Sequence, residues 1–247
     1  MPIHVKGQPS DVSPYVLLPG DPGRATYIAK KFFENPVMYT EYRGLLGYTG
    51  TYKGLRVSVQ TTGMGCPTTA IVLEELIQLE AKVFIRVGTC GSLKPELEPT
   101  DLVIVQGSLP FDGTTKLYLG EGPAVPLPTW RVLKASADIA ELEQIKHHVC
   151  MISSGDAYYG PPWIKEERLK RGAKAVEMEA SAIFTIAMLR GVEAGCVCTV
   201  SNYVGDKAHQ PEEVLQRGVD VMTHVALESF LKLELEKPLT YSGFRIH

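Results

Sequence analysis

Apolar, β-branched runs bounded by turn residues alternate along this chain with stretches of helical periodicity, and that alternation limits the fold more than any other feature. Strands are predicted at residues 15–18, 55–61, 83–87, 102–106 and 195–200. The run LRVSVQT at 55–61 alternates apolar and polar residues and is expected to be half-buried. Helical spacing follows Pro67 in TTAIVLEELIQLEA and recurs in ASAIFTIAMLRG, where Gly191 suits the left-handed residue that ends a helix. A last long helix is expected to open at Pro211, with Glu212 and Glu213 in its first turn. Strands interleaved with helices imply an α/β fold, a parallel or mixed sheet covered on both faces, with ligands beyond the carboxyl ends of the strands.

Composition narrows the classes of function. The chain has 247 residues, 45% hydrophobic and 21% charged, which is ordinary for a globular protein with a sizeable core. A formal net charge of -3 offers no basic surface for nucleic acid or an anionic membrane. No apolar run reaches membrane-spanning length, and MPIHVKGQPS lacks the apolar core of a secretion signal. Five cysteines, odd in number and without a C-x-x-C pair, read as reduced thiols of a cytoplasmic protein rather than disulfides or zinc ligands. The Pro- and Gly-rich stretch at 119–130 is expected to be a surface loop inside one domain, because strand-like runs continue on both sides.

Five motifs fall near strand ends. In LLPGDPGRA, Gly20 permits close approach to the backbone, Asp21 and Pro22 open a helix, and Arg24 sits in its first turn. A helix start beside an arginine outlines an anion site, although a capped helix with a surface arginine reads equally well. In FIRVGTCGSL, Arg86 lies inside an apolar strand and must meet an acid partner or a bound anion. Gly88, Thr89 and Gly91 are expected to form a turn facing the same anion. In AVEMEAS, Glu177 and Glu179 point to one side if the backbone is extended, where they suit the vicinal hydroxyls of a sugar. Alternatively both acids favour the start of the following helix. In QTTGMGCP, Met64 suits either a flat ligand surface or the core. The fifth motif, CVCTVSN, delivers Ser201 and Asn202 at a strand end; Asn202 is an amide and can neither donate nor accept a proton as an acid would.

Taken in order, LPGDPGRA, RGLLGYTGTYKG, GMGCP, RVGTCGSL, VEMEAS and TVSN resemble the nucleoside phosphorylase-I family, and most of all its hexameric bacterial purine nucleoside phosphorylases. The resemblance covers essentially the whole chain. It implies a single α/β domain over residues 1–247, with a central twisted mixed β-sheet flanked by helices. It implies attack of inorganic phosphate, a co-substrate, on the C1′ of a nucleoside, with no metal and no organic cofactor. By the same resemblance, Gly20, Arg24, Arg86 and Thr89 bind phosphate, joined by Arg43 from a neighbouring subunit. Met64, Tyr158, Glu177, Met178, Glu179, Ser201 and Asn202 hold the nucleoside, and His4 of a neighbour reaches the ribose 5′-hydroxyl. The implied assembly is a hexamer built as a trimer of dimers.

One position departs from that pattern. Many bacterial members carry Asp after the Ser, as the acid for N7 of the leaving purine; this chain carries Asn202. A 6-oxopurine can spread negative charge toward O6, so inosine and guanosine are expected to be preferred over adenosine. Catalysis is then assigned to Asn202, Arg24 and Glu179. Uridine phosphorylases and methylthioadenosine phosphorylases are similar alternatives. The former read uracil with a Gln and an Arg from the loop after the equivalent of Ser154; here GDAYYGPPWIKEER has no Gln, and its Arg168 looks helical. Nucleosidases of this fold lack the phosphate arginines, and a non-catalytic binding protein would not keep three arginines and two glutamates.

Overall fold

The computed structural model describes residues 2–120, 122, 125–206 and 210–236. Among them are nine strands: β1 Tyr15–Leu18, β2 Glu34–Thr40, β3 Gly47–Tyr52, β4 Leu55–Gln60, β5 Val83–Ser92, β6 Leu102–Phe111, β7 His147–Gly155, β8 Ala175–Glu177 and β9 Glu193–Tyr203. Seven α-helices accompany them: α1 Pro22–Phe32, α2 Cys66–Gln78, α3 Gly113–Leu119, α4 Trp130–Leu142, α5 Pro162–Lys170, α6 Ala180–Arg190 and α7 Glu212–Leu235. No described helix is long and apolar enough to cross a membrane.

The strands form one mixed sheet in the order β2-β3-β4-β1-β5-β8-β7-β6-β9. β9 also pairs with β5, in parallel, so β5, β8, β7, β6 and β9 close into a ring. β5 uses one edge for β9 along its whole length. Its other edge pairs with β1 over Val83–Arg86 and then with β8 at Gly91 and Ser92. Between these pairings β1 and β8 part from β5, and such a divergence of strands is where α/β folds open a crevice.

Two apolar clusters fill the two faces, as a sheet covered on both sides requires. One gathers Phe84, Val103 and Ile152 with Leu73 and Leu76 of α2 and Ile183 and Phe184 of α6. The other gathers Leu17, Ile85 and Val197 with Ile28 of α1, Val132 of α4 and Met222 and Phe230 of α7. Phe84, Phe184 and Phe230 are fully buried, each worth roughly 1.5–3 kcal/mol of transfer free energy.

The local sequence accounts for the helix ends. Asp21 accepts from the amides of Gly23 and Arg24, and Pro22 fills the first helical position of α1. Gly191 ends α6 in the left-handed conformation, its N–H on the carbonyl of Ala187. Pro211 immediately precedes α7. The stretch between α3 and α4 carries neither helix nor strand among its described residues.

Three expectations change. β4 is not half-buried: Val57, Ser58, Val59 and Gln60 are all buried, because the entering chain covers its polar side and Ser13 N–H donates to Ser58 Oγ at 2.8 Å. β5 does not turn at Gly88 but runs extended through Gly88, Thr89, Cys90 and Gly91 to Ser92, held by its pairing with β9. β9 likewise passes Ser201 and Asn202 to end at Tyr203. A bulge absorbs the extra residue there: Cys90 faces Val200 while Gly91 faces Asn202, which leaves Ser201 over.

Candidate active site

Arg86 lies at the point where β1 leaves β5, buried to 4% exposure. Its Nε–H donates to Glu177 Oε2 at 2.7 Å, and its Nη2 stands 2.5 Å from Glu179 Oε2. Of the two outcomes the strand sequence left open, these ion pairs supply the acid partner. Burial opposes the arginine's charge, and Glu179 and Glu177 outweigh it, so its pKa is raised. The guanidinium folds back across Gly88, where a Cβ would meet Arg86 Cζ at 2.6 Å. Glycine at 88 therefore serves the arginine rather than a turn.

Glu177 ends β8, and the helix-start reading of the AVEMEAS motif holds for it. Its carboxylate accepts from Arg86 and also from the backbone N–H groups of Glu179 (2.8 Å) and Ala180 (3.0 Å), at the start of α6. Ser154, at the end of β7, donates its hydroxyl to Glu177 Oε1 and accepts the N–H of Ser181 at 2.9 Å. Burial pushes the Glu177 carboxyl up to about 7; Arg86 pulls against this, and the charge of Glu179 adds to it. Glu179 accepts the N–H of Gly65 at 2.7 Å and, more weakly, that of Met178 at 3.3 Å.

Two glycine turns complete the wall. Gly63 and Gly65 both take positive φ, 75° and 91°, which presents the Gly65 N–H to Glu179. A Cβ at Gly20 would lie 3.1 Å from the Gly63 carbonyl oxygen and 3.9 Å from Glu179 Oε1. The turn that leads into α1 thus abuts the turn that leads into α2, with Glu179 between them. Arg24 is partly buried in the first turn of α1 and makes no ion pair among the described residues. Burial lowers its pKa; Asp21 opposes that, and the like charge of Arg86 lowers it further. The two guanidiniums thus lie within electrostatic reach of one another. Thr89 is half-buried, directly after Gly88, on the face of β5 opposite Arg86.

The amide end is also held. Asn202 Oδ1 accepts the Ser201 hydroxyl at 2.7 Å, and Asn202 Nδ2 donates to the Tyr203 carbonyl at 2.9 Å. With Oδ1 engaged, the group the side chain has left to offer is its second N–H. Ser201 Oγ also reaches the Cys90 carbonyl at 3.1 Å. Met64 is 82% exposed, which removes the core alternative for it. Tyr158 is exposed on the loop after β7, edge-on to Tyr159 with centroids 5.0 Å apart.

His4 and Arg43 make no hydrogen bond or ion pair to this cluster. Glu75 of α2 holds the first segment instead: it accepts the N–H groups of Ile3 (3.0 Å), His4 (2.8 Å) and Val5 (2.6 Å), and pairs with His4 Nδ1 at 2.8 Å. Arg43 is exposed, in left-handed backbone at φ 57°, over the ring of Tyr42. Asp206 is exposed beyond β9, and Arg217 is exposed on α7. Ser154 and Glu75 escaped the sequence reading, and Gly88 was read as a turn, because each acts on a partner that only the fold identifies. No group of three or more His, Cys, Asp or Glu among the described residues is arranged to hold a metal ion.

Residues 14–232 match the family described as the phosphorylase superfamily. A DeoD-type purine nucleoside phosphorylase of Clostridium perfringens is 37% identical over 235 residues, 94% of this chain and 100% of that protein. DeoD-type relatives of Oceanobacillus iheyensis (35%, again 94% and 100%) and Proteus mirabilis (36%, 94% and 98%) are similar. Among solved structures, a uridine phosphorylase of Vibrio fischeri superposes with a TM-score of 0.87 at 24% identity, covering 94% of this chain and 96% of that one.

Proposed function

This chain belongs to the phosphorylase superfamily, and from that premise we propose that it catalyses reversible phosphorolysis of purine nucleosides to free base and ribose 1-phosphate, preferring 6-oxopurines. The observation that carries the reading is the Arg86–Glu177–Glu179 cluster at the parting of β1 and β8. It sets a cation for an anionic nucleophile directly beside acceptors for sugar hydroxyls. The DeoD-type relatives favour purines over the uridine alternative.

The chemistry follows from the side chains. Phosphate would take Arg24, Arg86, Gly20 and Thr89, with Arg43 from a neighbour. The ribose hydroxyls would donate to Glu179 and Glu177, whose charge favours the positive character growing at C1′. The C1′–N9 bond breaks with its electron pair going to the base while a phosphate oxygen bonds to C1′. Asn202 offers an N–H to N7 and O6 and transfers no proton; Tyr158, Met64, Met178 and Ser201 line the base and sugar. Preorganised donors of this kind are each worth about 10²–10³ in rate. Inorganic phosphate is the co-substrate, and the scheme calls for no metal or organic cofactor.

We place His4 and Arg43 in a neighbour's site, within a homohexamer built as a trimer of dimers, and place the enzyme in cytoplasmic purine salvage. A monomer fully active at high dilution would exclude the shared site. The deciding assay measures base release from inosine, adenosine, uridine and methylthioadenosine, each with and without phosphate. Phosphate-dependent release fastest from inosine or guanosine is expected. Release without phosphate, or uridine cleaved fastest, would overturn the reading.

A further inference from the structure

Ser108 is fully buried on β6, in a place that strand alternation would not give it. Val103 and Val105 of β6 join the same apolar cluster as Cys150 and Ile152 of β7. Plain alternation would therefore send residue 108 to the opposite face. A bulge intervenes: Val105 faces Cys150 and Gly107 faces Met151, which leaves the exposed Gln106 over. Beyond it Ser108 is in register with Ile152 and shares that face with Ser154. Bulges beside active sites re-aim side chains in this way. The re-aimed hydroxyl meets one partner: Ser108 Oγ lies 2.7 Å from Ser154 Oγ and makes no other hydrogen bond among the described residues.

Donors and acceptors fix the direction of that bond. A hydroxyl has one proton and two lone pairs to use. Ser154 Oγ takes the N–H of Ser181 at 2.9 Å, which can only donate, and gives its proton to Glu177 Oε1, which accepts when ionised. One lone pair remains, so Ser108 donates to Ser154 and Ser154 donates to Glu177. Both O–H dipoles point at the carboxylate and favour its charge, and the outer bond strengthens the inner one. Burial pushes the Glu177 carboxyl up to about 7, and Arg86 opposes it. The other titratable groups that face it are Glu179, Arg168 of α5, Cys66 of α2, Cys90 of β5, and Cys196 and Cys198 of β9. Glu177 Oε2 already accepts from Arg86, Glu179 and Ala180. A proton gained by Glu177 therefore goes to Oε1, the oxygen that the serines address.

We propose that Ser108 is a positioning residue of this site, holding Glu177 through Ser154 as an ionised acceptor for Arg86 and the ribose. This rests on the phosphorolysis reading and deepens it: Ser108 touches no substrate, yet it sets the pH range in which Glu177 serves. Ser153, one residue before Ser154, supplies the contrast. It is as deeply buried, it lies on the opposite face of β7, and its Oγ has no hydrogen-bond partner.

The test is the pH profile of kcat/KM for inosine. Ser108→Ala is expected to raise the midpoint of the acidic limb by about half a pH unit, a loss of about threefold near pH 6, and to leave the plateau above about pH 8.5 unchanged. Ser153→Ala should leave the whole profile in place. The Glu177 carboxyl can also be titrated without substrate, by infrared difference spectroscopy with Glu177→Gln identifying its band, and the same shift is expected there. In a Ser154→Ala background, Ser108→Ala should add nothing. An unmoved midpoint, an equal loss at every pH, the same shift from Ser153→Ala, or a shift that adds to that of Ser154→Ala would overturn the proposal. A wild-type enzyme that needs no phosphate, or that cleaves no purine nucleoside, would instead sink the functional reading, and the infrared midpoint would still decide the role of Ser108.

Discussion

The guanidinium of Arg86 lies in the space that a side chain at Gly88 would fill, with its Cζ 2.6 Å from an ideal Cβ there. Two residues apart on one strand face, they form a single device: the glycine lets the arginine fold back onto Glu177 and Glu179.

Gly88→Ala should therefore damage the site before it damages the fold. The arginine must leave one or both acids, and the overpacking should cost about 1–3 kcal/mol. Steady-state kinetics with phosphate varied should show KM for phosphate raised at least about tenfold. An unchanged phosphate KM would mean that Arg86 is structural only.

Glu177 predicts a pH dependence with a definite sign. Its folded pKa is raised from 4.5 to about 7, chiefly by burial. Between those values the native state holds a proton that the unfolded state has lost, so stability falls as pH rises through the window and levels above about 7. Activity should move the other way, because only the ionised carboxylate accepts from Arg86, Ser154 and the α6 amides together. Glu177→Gln should flatten the stability slope in denaturant titrations from pH 4.5 to 7.5 and remove the acidic limb of the kcat/KM profile.

Asn202→Asp should restore an acid beside the base. Adenosine kcat/KM is expected to rise relative to inosine by at least about tenfold, most strongly at low pH where the new carboxyl is protonated. Because Asn202 Oδ1 accepts from Ser201, the substitution keeps that bond, so the readout is chemistry rather than misfolding. An unchanged adenosine-to-inosine ratio would show that position 202 does not select the base.

Glu75 should act on a site it does not touch. Its carboxylate fixes three successive backbone amides and the His4 ring. Burial would raise its pKa, but the N–H of Val5 and the His4 ring outweigh that and hold it low. Glu75→Ala should raise KM for inosine about tenfold and spare 5′-deoxyinosine, which lacks the hydroxyl assigned to His4. Equal effects on both substrates would reduce Glu75 to an anchor for the first segment.

What the sequence made legible follows the range of each signal. Helix starts and stops were readable because they are local: Asp21 and Pro22 before α1, Gly191 after α6, Pro211 before α7. The strand through Gly88 was not, since its glycines look like a turn and only pairing with β9 keeps them extended. The exposed, strongly bulged β2 lacks the apolar pattern of a strand and is built by its partner β3. In the site, paired motifs such as Glu177 and Glu179 announced themselves by spacing. Ser154 did not, and Gly88 did so only as a turn, because their partners lie across strands or fold back over a position without a side chain.

The double use of β5 has a further consequence. One edge is occupied by β9 throughout, and the other passes from β1 to β8. To slide or fray, β5 would have to break three pairings at once, so its amides should be among the last in the molecule to exchange with deuterium. The loops around it can move on their own timescale while Arg86 stays still. In the proposed scheme the anchor for phosphate thus sits on the least yielding part of the chain, and the more exposed segments meet the nucleoside.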